Sequence, residues 1–567
     1  MKRFVGALLA TVTIVGLSLA ITPARADSVP AEQIVAPNEP GLGYFGFRSS
    51  PDFGLVFSSS HLLGFESSGN QVSAIHVCTS VLDSACSKAD LWKYVATLAM
   101  CTSATDSNCI EAITAKDKDG NPLATSVVQS FPSKRDQDYV GDVSQNLPTG
   151  GQLPLIDIPG APHAGGSLYL PEVRIQGRKD LQRGDKSFNV DNINIGLYAV
   201  TIAHGNNYSV YYESDRAGDY VNRDWNAGKN GTQPGCIVND TTACAQQQAL
   251  PLDVKFGIKI RTSFPIPGWF HGRAGGPEIQ MESTPNGGTS LSLTANPVIS
   301  PIIYVWKKKS DLPTDLTTYI ASLPKPLGGT GSGAGNHALQ DGDPNLWSLL
   351  FDTTNFDQGS MNMFLHWLPV VGDKATADPT YWTFIAEEGT LHGTSCNAPN
   401  NTLAGIVSTN ATQYLAGPPS WNANDQTLDY KVASAHFQAN GEVFKGSYDL
   451  AINADMARCL YGFSKAPVKA SVSIVSSDGT EQVATTVISE TNNWIYLAAK
   501  GFTFSNPLVK VKLTQDKPTS PATSNPVKSL PTPSKATLLT CIKGKATKFV
   551  KSSTCPTGYK VKGQISK

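Results

Sequence analysis

Through most of this chain, apolar residues recur at every second position. Val468, Ala470, Val472 and Ile474 alternate with Lys469, Ser471 and Ser473, and Ser477-Asp478-Gly479-Thr480 then supplies a turn into a second run at 483–488. A period of two is the pattern of a strand with one buried face. The same reading gives strands at 168–175, 193–203, 208–213, 254–264, 291–306, 494–497, 502–504 and 508–513, and one from Gln71 through Val72, Ala74 and His76. One stretch reads otherwise. Leu91, Trp92, Val95, Leu98 and Ala99 fall near one face at helical spacing, which predicts a short helix over 88–100.

Composition sharpens this picture. Charged residues make up only 16% of the chain, while 50 Gly and 37 Pro punctuate it, a balance that favours short strands joined by turns over long surface helices. The expected fold class is mainly β: several antiparallel β-sandwich-type domains with short helices, stapled by disulfides. The length exceeds what one hydrophobic core fills. Segment boundaries follow the composition. They are a leader at 1–26, an α+β segment at 27–140, a β-rich segment at 165–310, a mixed region with a Gly-rich loop at 311–424, a sandwich of Ig-like size at 425–514, a Pro/Ser/Thr linker at 515–536 and a basic tail at 537–567.

Cysteine spacing and the N-terminus bear on the compartment. Met1, Lys2 and Arg3 precede an apolar run from Phe4 to about Ile21, and Ala24-Arg25-Ala26 follows as a small-residue cleavage site. Cys78 to Cys86, Cys101 to Cys109 and Cys236 to Cys244 share the spacing Cys-x7-Cys, and the first two loops share Cys-Thr-Ser-x-x-Asp-Ser-x-Cys. Spacing also suggests Cys541 with Cys555, leaving Cys396 with Cys459. A bond across one short loop removes unfolded-state entropy worth roughly 2–3 kcal/mol. Zinc sites draw on tighter spacings, so no metal is expected at these cysteines. Together these features predict an exported protein, secreted or associated with the cell wall, with no membrane span after leader cleavage.

Charge is divided unevenly. The chain holds 45 basic and 46 acidic residues, but the segment 537–567 has seven Lys and no acid, so the body between leader and linker end carries a net charge of −11. Lys543, Lys545, Lys548, Lys551, Lys560 and Lys562, interleaved with Phe549 and Tyr559, suit an anionic polymer such as a cell-wall polysaccharide. An exported protein with an acidic body is a poor partner for nucleic acid.

The ending Cys541-Ile542-Lys543-Gly544-Lys545 … Cys555-Pro556-Thr557-Gly558-Tyr559-Lys560 resembles a short C-terminal module of secreted actinobacterial proteins. Residues 457–464 and 501–507 are similar to the end domain of uncharacterised surface proteins from the same source, and 268–273 fits that family too. The resemblance implies an exported Gram-positive surface protein and supplies no catalytic residues.

Other candidate chemistry is sparse. Neither a Gly-x-Ser-x-Gly elbow nor a His-Glu-x-x-His pair occurs. His271 in Trp269-Phe270-His271-Gly272-Arg273 has the most marked context and reads as packed or capping. Glu387, Glu388 and His392 lie close enough for acid/base chemistry, although glycosidase carboxylates face each other across a cleft. Gly329-x-Gly331-x-x-Ala334 lacks the strand that a dinucleotide loop follows. The Asp-rich turns at 117–121 and 341–345 do not match a calcium loop. Arg183-Gly184-Asp185 is an integrin-type tripeptide that a turn between strands also explains. Trp225, Trp269, Trp347, Trp367, Trp382 and Trp421 are candidates for a sugar-stacking platform or for core packing. No catalytic residue and no cofactor is expected. The leading expectation is a non-catalytic envelope or surface-binding protein; an extracellular carbohydrate-active hydrolase and an adhesin are the alternatives.

Overall fold

The computed structural model describes residues 43–49, 60–68, 71–131, 138–205, 236–239, 242–266, 268–285, 287–323, 335–339, 348–353, 356–387, 403–422, 424–461, 468–475, 481–483, 485–504, 508–515, 538–544, 546–551 and 555–565. The leader, the strand at 208–213, the Gly-rich loop, the turn at 341–345, Glu388, His392 and Cys396 lie outside them. Chain contacts divide the molecule into two units, 1–515 and 516–567.

The first unit is mainly β and is organised on one long sheet. Its main path runs through Gln71–Val77, His61–Ser68, Leu91–Thr97, Leu168–Asp180, Asn189–His204, Thr383–Glu387, Gly268–Arg273, Leu403–Thr409, Lys445–Asn453, Trp494–Thr503 and Thr485–Thr491. Neighbours on this path are antiparallel, except that Gly268–Arg273 and Leu403–Thr409 run parallel. Strands from the segments 27–140, 165–310, 311–424 and 425–514 thus share one hydrogen-bonded surface.

Two further sheets pack on it. A five-stranded sheet that includes Cys109–Lys116, Lys255–Thr262 and Thr289–Asn296 covers one face. There Ile258, Leu293 and Ile113 meet Val173, Ile195 and Phe384 of the long sheet in the largest core. Towards the C-terminal strands, the sheet containing Thr427–Ala433, Val468–Val475 and Leu508–Gln515 covers the other face, and Tyr430, Val432 and Val511 pack on Val407, Leu450 and Leu497. This pair of sheets is a β-sandwich. A third core surrounds helix Gln358–Trp367, where Trp367 stacks on Phe47 with ring centroids 5.1 Å apart.

Two expectations are corrected. The segment 88–100 forms the strand Leu91–Thr97 and not a helix, because Trp92, Tyr94 and Ala96 are buried in alternation between two neighbouring strands. Nine of the thirteen residues are apolar, so both a helical face and an alternating set can be drawn from them, and the ladder partners decide. The run at 291–306 is divided into Thr289–Asn296, Val298–Ile299 and Ile303–Lys308. Pro297 and Pro301 stand at the breaks, since neither carries an N–H to donate to a ladder. Among the described residues, no helix is long and apolar enough to cross a membrane.

Candidate functional site

The tail unit is a three-stranded antiparallel sheet of Leu538–Lys543, Ala546–Lys551 and Lys560–Ile565, closed by the Cys541–Cys555 disulfide. Directly opposed residues of a sheet share a face. Cys541 opposes Lys548 and Val561, whereas Ile542 opposes Lys560. Lys543 follows Cys541 by two residues and so lies on the Cys541 side with Lys548, and Lys560 lies on the other. Lys543, Lys548, Lys560 and Lys562 are all exposed. The left-handed Gly558 (φ 90°) lets the chain turn beneath Lys543, whose Nζ lies 3.2 Å from where a Cβ would stand. Lys545 and the side chain of Lys551 lie outside the described residues. The result is a small cationic body with charge on both faces rather than a single stripe.

The first two cysteine loops are built alike. Cys78–Cys86 and Cys101–Cys109 are bonded. In the first loop, the Asp83 carboxylate accepts from the Thr79 backbone N–H at 2.9 Å and from its hydroxyl at 2.8 Å. In the second, Asp106 accepts from the Thr102 N–H at 2.7 Å and from its hydroxyl at 2.8 Å. These bonds hold both carboxylates below their usual range; the leading donor is the Thr79 N–H for Asp83 and the Ser103 hydroxyl for Asp106. Arg261 reaches across to the second loop, where its guanidinium donates to the carbonyls of Ser103 and Ala104. Cys236 and Cys244 share only the spacing, since they lie on paired strands, Cys236–Asn239 and Ala243–Gln248. Cys244 and Cys459 each take part in a disulfide of their own.

His271 and Arg273 point from Gly268–Arg273 into the sandwich core. The Nδ1 of His271 is 3.0 Å from the Tyr414 hydroxyl. Burial, aided by the Arg273 charge, lowers the His271 pKa to about 3, so the ring is neutral at physiological pH. The Arg273 guanidinium donates to the carbonyls of Ala411 and Thr412 and lies 4.9 Å from the Tyr414 ring centroid. Both residues are fully enclosed. Their geometry is that of a packed polar core.

The tryptophans divide in the same way. Trp269, Trp367 and Trp382 are buried, and of the described members of the candidate platform only Trp421 is exposed. The turn at 117–121 closes on itself, because Asp117 accepts from Asp119, from the Asn121 N–H and from the Asn121 amide. Among the described residues, no group of three or more His, Cys, Asp or Glu is placed to hold a metal. Glu387 ends the strand Thr383–Glu387 opposite Asn192.

One set of residues escaped the sequence reading. On the long sheet, Thr97 opposes Arg174, Arg174 opposes Asn194, Asn194 opposes Ile385, and Ile385 opposes His271. Glu172 lies beside this row, opposite Gly196. Thr97, Glu172, Arg174, Asn194 and His271 are all at most 5% exposed. With its amide turned to satisfy both neighbours, Asn194 accepts from the Arg174 Nε at 3.3 Å and donates to Asn192 Oδ1 at 3.0 Å. Burial lowers the Arg174 pKa, and the Glu172 and Tyr198 charges oppose that shift. The alternation of Glu172, Arg174 and Gln176 with Val173 and Ile175 was visible in the sequence. Such alternation carries no sign of burial, yet Glu172 and Arg174 are enclosed and form a polar band inside the protein.

Comparison with protein-family models finds none that matches this chain, and comparison with curated proteins finds none similar to it.

Proposed function

We propose that this chain is a secreted, non-catalytic cell-envelope protein whose basic tail contacts an anionic cell-wall polymer. One observation carries the reading. Four described lysines stand exposed on both faces of a disulfide-closed sheet, in a segment with no acidic residue to neutralise them. A cation of this kind attracts a polyanion without demanding one orientation, and its attraction is screened by salt. The linker, rich in Pro, Ser and Thr, sets the tail apart from an acidic body. The resemblance of the Cys541–Tyr559 region to an actinobacterial surface module supports the same assignment.

The test is co-sedimentation of the mature protein with purified cell walls, with and without residues 537–567, over a salt titration. Binding that requires the tail and fades with salt supports the reading. Equal binding of both forms places recognition in the body, and binding by neither removes the envelope role.

A further inference from the structure

The two longest described strands, Leu168–Asp180 and Asn189–His204, are joined by a tip that carries Arg183-Gly184-Asp185. We propose that this tip is a contact for a receptor that reads a guanidinium and takes a carboxylate oxygen onto a bound divalent cation.

The turn is ordered by its own hydrogen bonds. The Asp180 carboxylate accepts from the N–H groups of Gln182 at 2.9 Å and Arg183 at 3.2 Å. Gly184 adopts φ 83°, a left-handed conformation that side chains other than glycine's resist, and its N–H donates to Leu181 O. The Asp185 N–H donates to Asp180 O, and Asp185 Oδ2 accepts from the Asp180 N–H at 2.9 Å. A receptor meeting this turn therefore spends little free energy on ordering it.

The recognition groups remain available. The Arg183 side chain is 72% exposed, and its ion pair with Asp180, 3.2 Å away, engages Nε rather than the two terminal nitrogens. Asp185 uses Oδ2 within the turn, which leaves Oδ1 for an outside partner. One oxygen is enough, since hard divalent cations accept monodentate carboxylates. Leu181, beside them, is 47% exposed and adds apolar contact. The proposal is independent of the tail: its residues lie in the first unit, and wall binding through the tail would stand or fall separately.

The experiment immobilises the full mature chain and measures binding of a purified integrin ectodomain that reads Arg-Gly-Asp peptides, in manganese buffer and again in EDTA. The expected result is saturable binding that is lost in EDTA, competed by a linear Arg-Gly-Asp peptide, and weakened by at least about ten-fold in Arg183→Gln and Asp185→Glu. Arg183→Gln decides the matter, because beyond its backbone N–H this residue gives the turn only an exposed ion pair with Asp180, and the variant should melt close to the parent. Absence of wild-type binding, binding that survives EDTA, or full binding by Arg183→Gln would each overturn the proposal.

Discussion

His271 and Tyr414 meet through a 3.0 Å contact between ring Nδ1 and phenol inside the sandwich core, and among the described residues no group satisfies the second ring nitrogen. The histidine is held neutral by burial, and so is His61, whose pKa falls to about 4. Unfolded histidines titrate near 6.5, so between that value and the folded ones the unfolded chain binds more protons. Stability from both is therefore fully present above about pH 6.5 and is lost as pH falls. Each contributes a slope of about 1.4 kcal/mol per pH unit within its window. Urea unfolding between pH 7 and 4.5 should show this loss. His271→Gln should cost about 1–3 kcal/mol at pH 7 and make the slope shallower by one proton.

Asp449 acts with the opposite sign. It lies opposite Ser408 on the neighbouring strand, and burial pushes its pKa up to about 6, against a Gly276 backbone bond and the Lys500 charge. Between the ordinary carboxylate value and 6, the folded state binds the extra proton, so stability falls as pH rises through that window and is level above it. Asp449→Asn should remove this slope and stabilise the fold at pH 7 by about 2 kcal/mol. Melting curves of the variant at pH 4 and pH 7 measure both effects.

The second cysteine loop gives a separable test. Replacing Cys101 and Cys109 by Ala together should cost roughly 2–3 kcal/mol by restoring unfolded-state freedom. Arg261→Ala leaves the bond in place but frees the Ser103 and Ala104 carbonyls that it holds. Proteolysis within 101–109 should then accelerate with little change in melting temperature, and an unchanged cleavage rate would mean that the disulfide alone orders the loop.

Trp367 stacks on Phe47 and is fully buried, so Trp367→Ala should cost about 3–5 kcal/mol in equilibrium unfolding. Trp421→Ala, at an exposed position, should stay within about 0.5 kcal/mol of the parent.

In the tail, Lys548→Gln and Lys560→Gln remove charge from opposite faces of the sheet. If charge alone drives wall contact, each should weaken co-sedimentation by a similar factor, and the double variant should weaken it further. A loss confined to one face would point to an oriented site.

Much of the strand pattern could be read in advance, because alternation is a local property. Val468–Val475 and Leu508–Gln515 pair over eight residues, and Val472, Val509 and Val511 on them lie in the sandwich core. The reading failed where one pattern fits two periods, as at 88–100, or where a residue's meaning depends on what covers it. Glu172 and Arg174 look like solvent-facing partners of Val173 and Ile175, yet both are enclosed. The repeated Thr and Asp of the two cysteine loops were visible as a motif. Their carboxylate–hydroxyl bonds were not, since spacing gives no geometry.

By itself the sequence determined the β class, the cysteine loops and the separation of charge between body and tail, because each follows from residue type and short-range order. Tertiary structure alone decided that strands hundreds of residues apart join one sheet, that Glu172 and Arg174 are enclosed, and that the tail lysines fall on both faces. Those outcomes depend on ladder register and on which surfaces meet, and neither is written in any single stretch of chain.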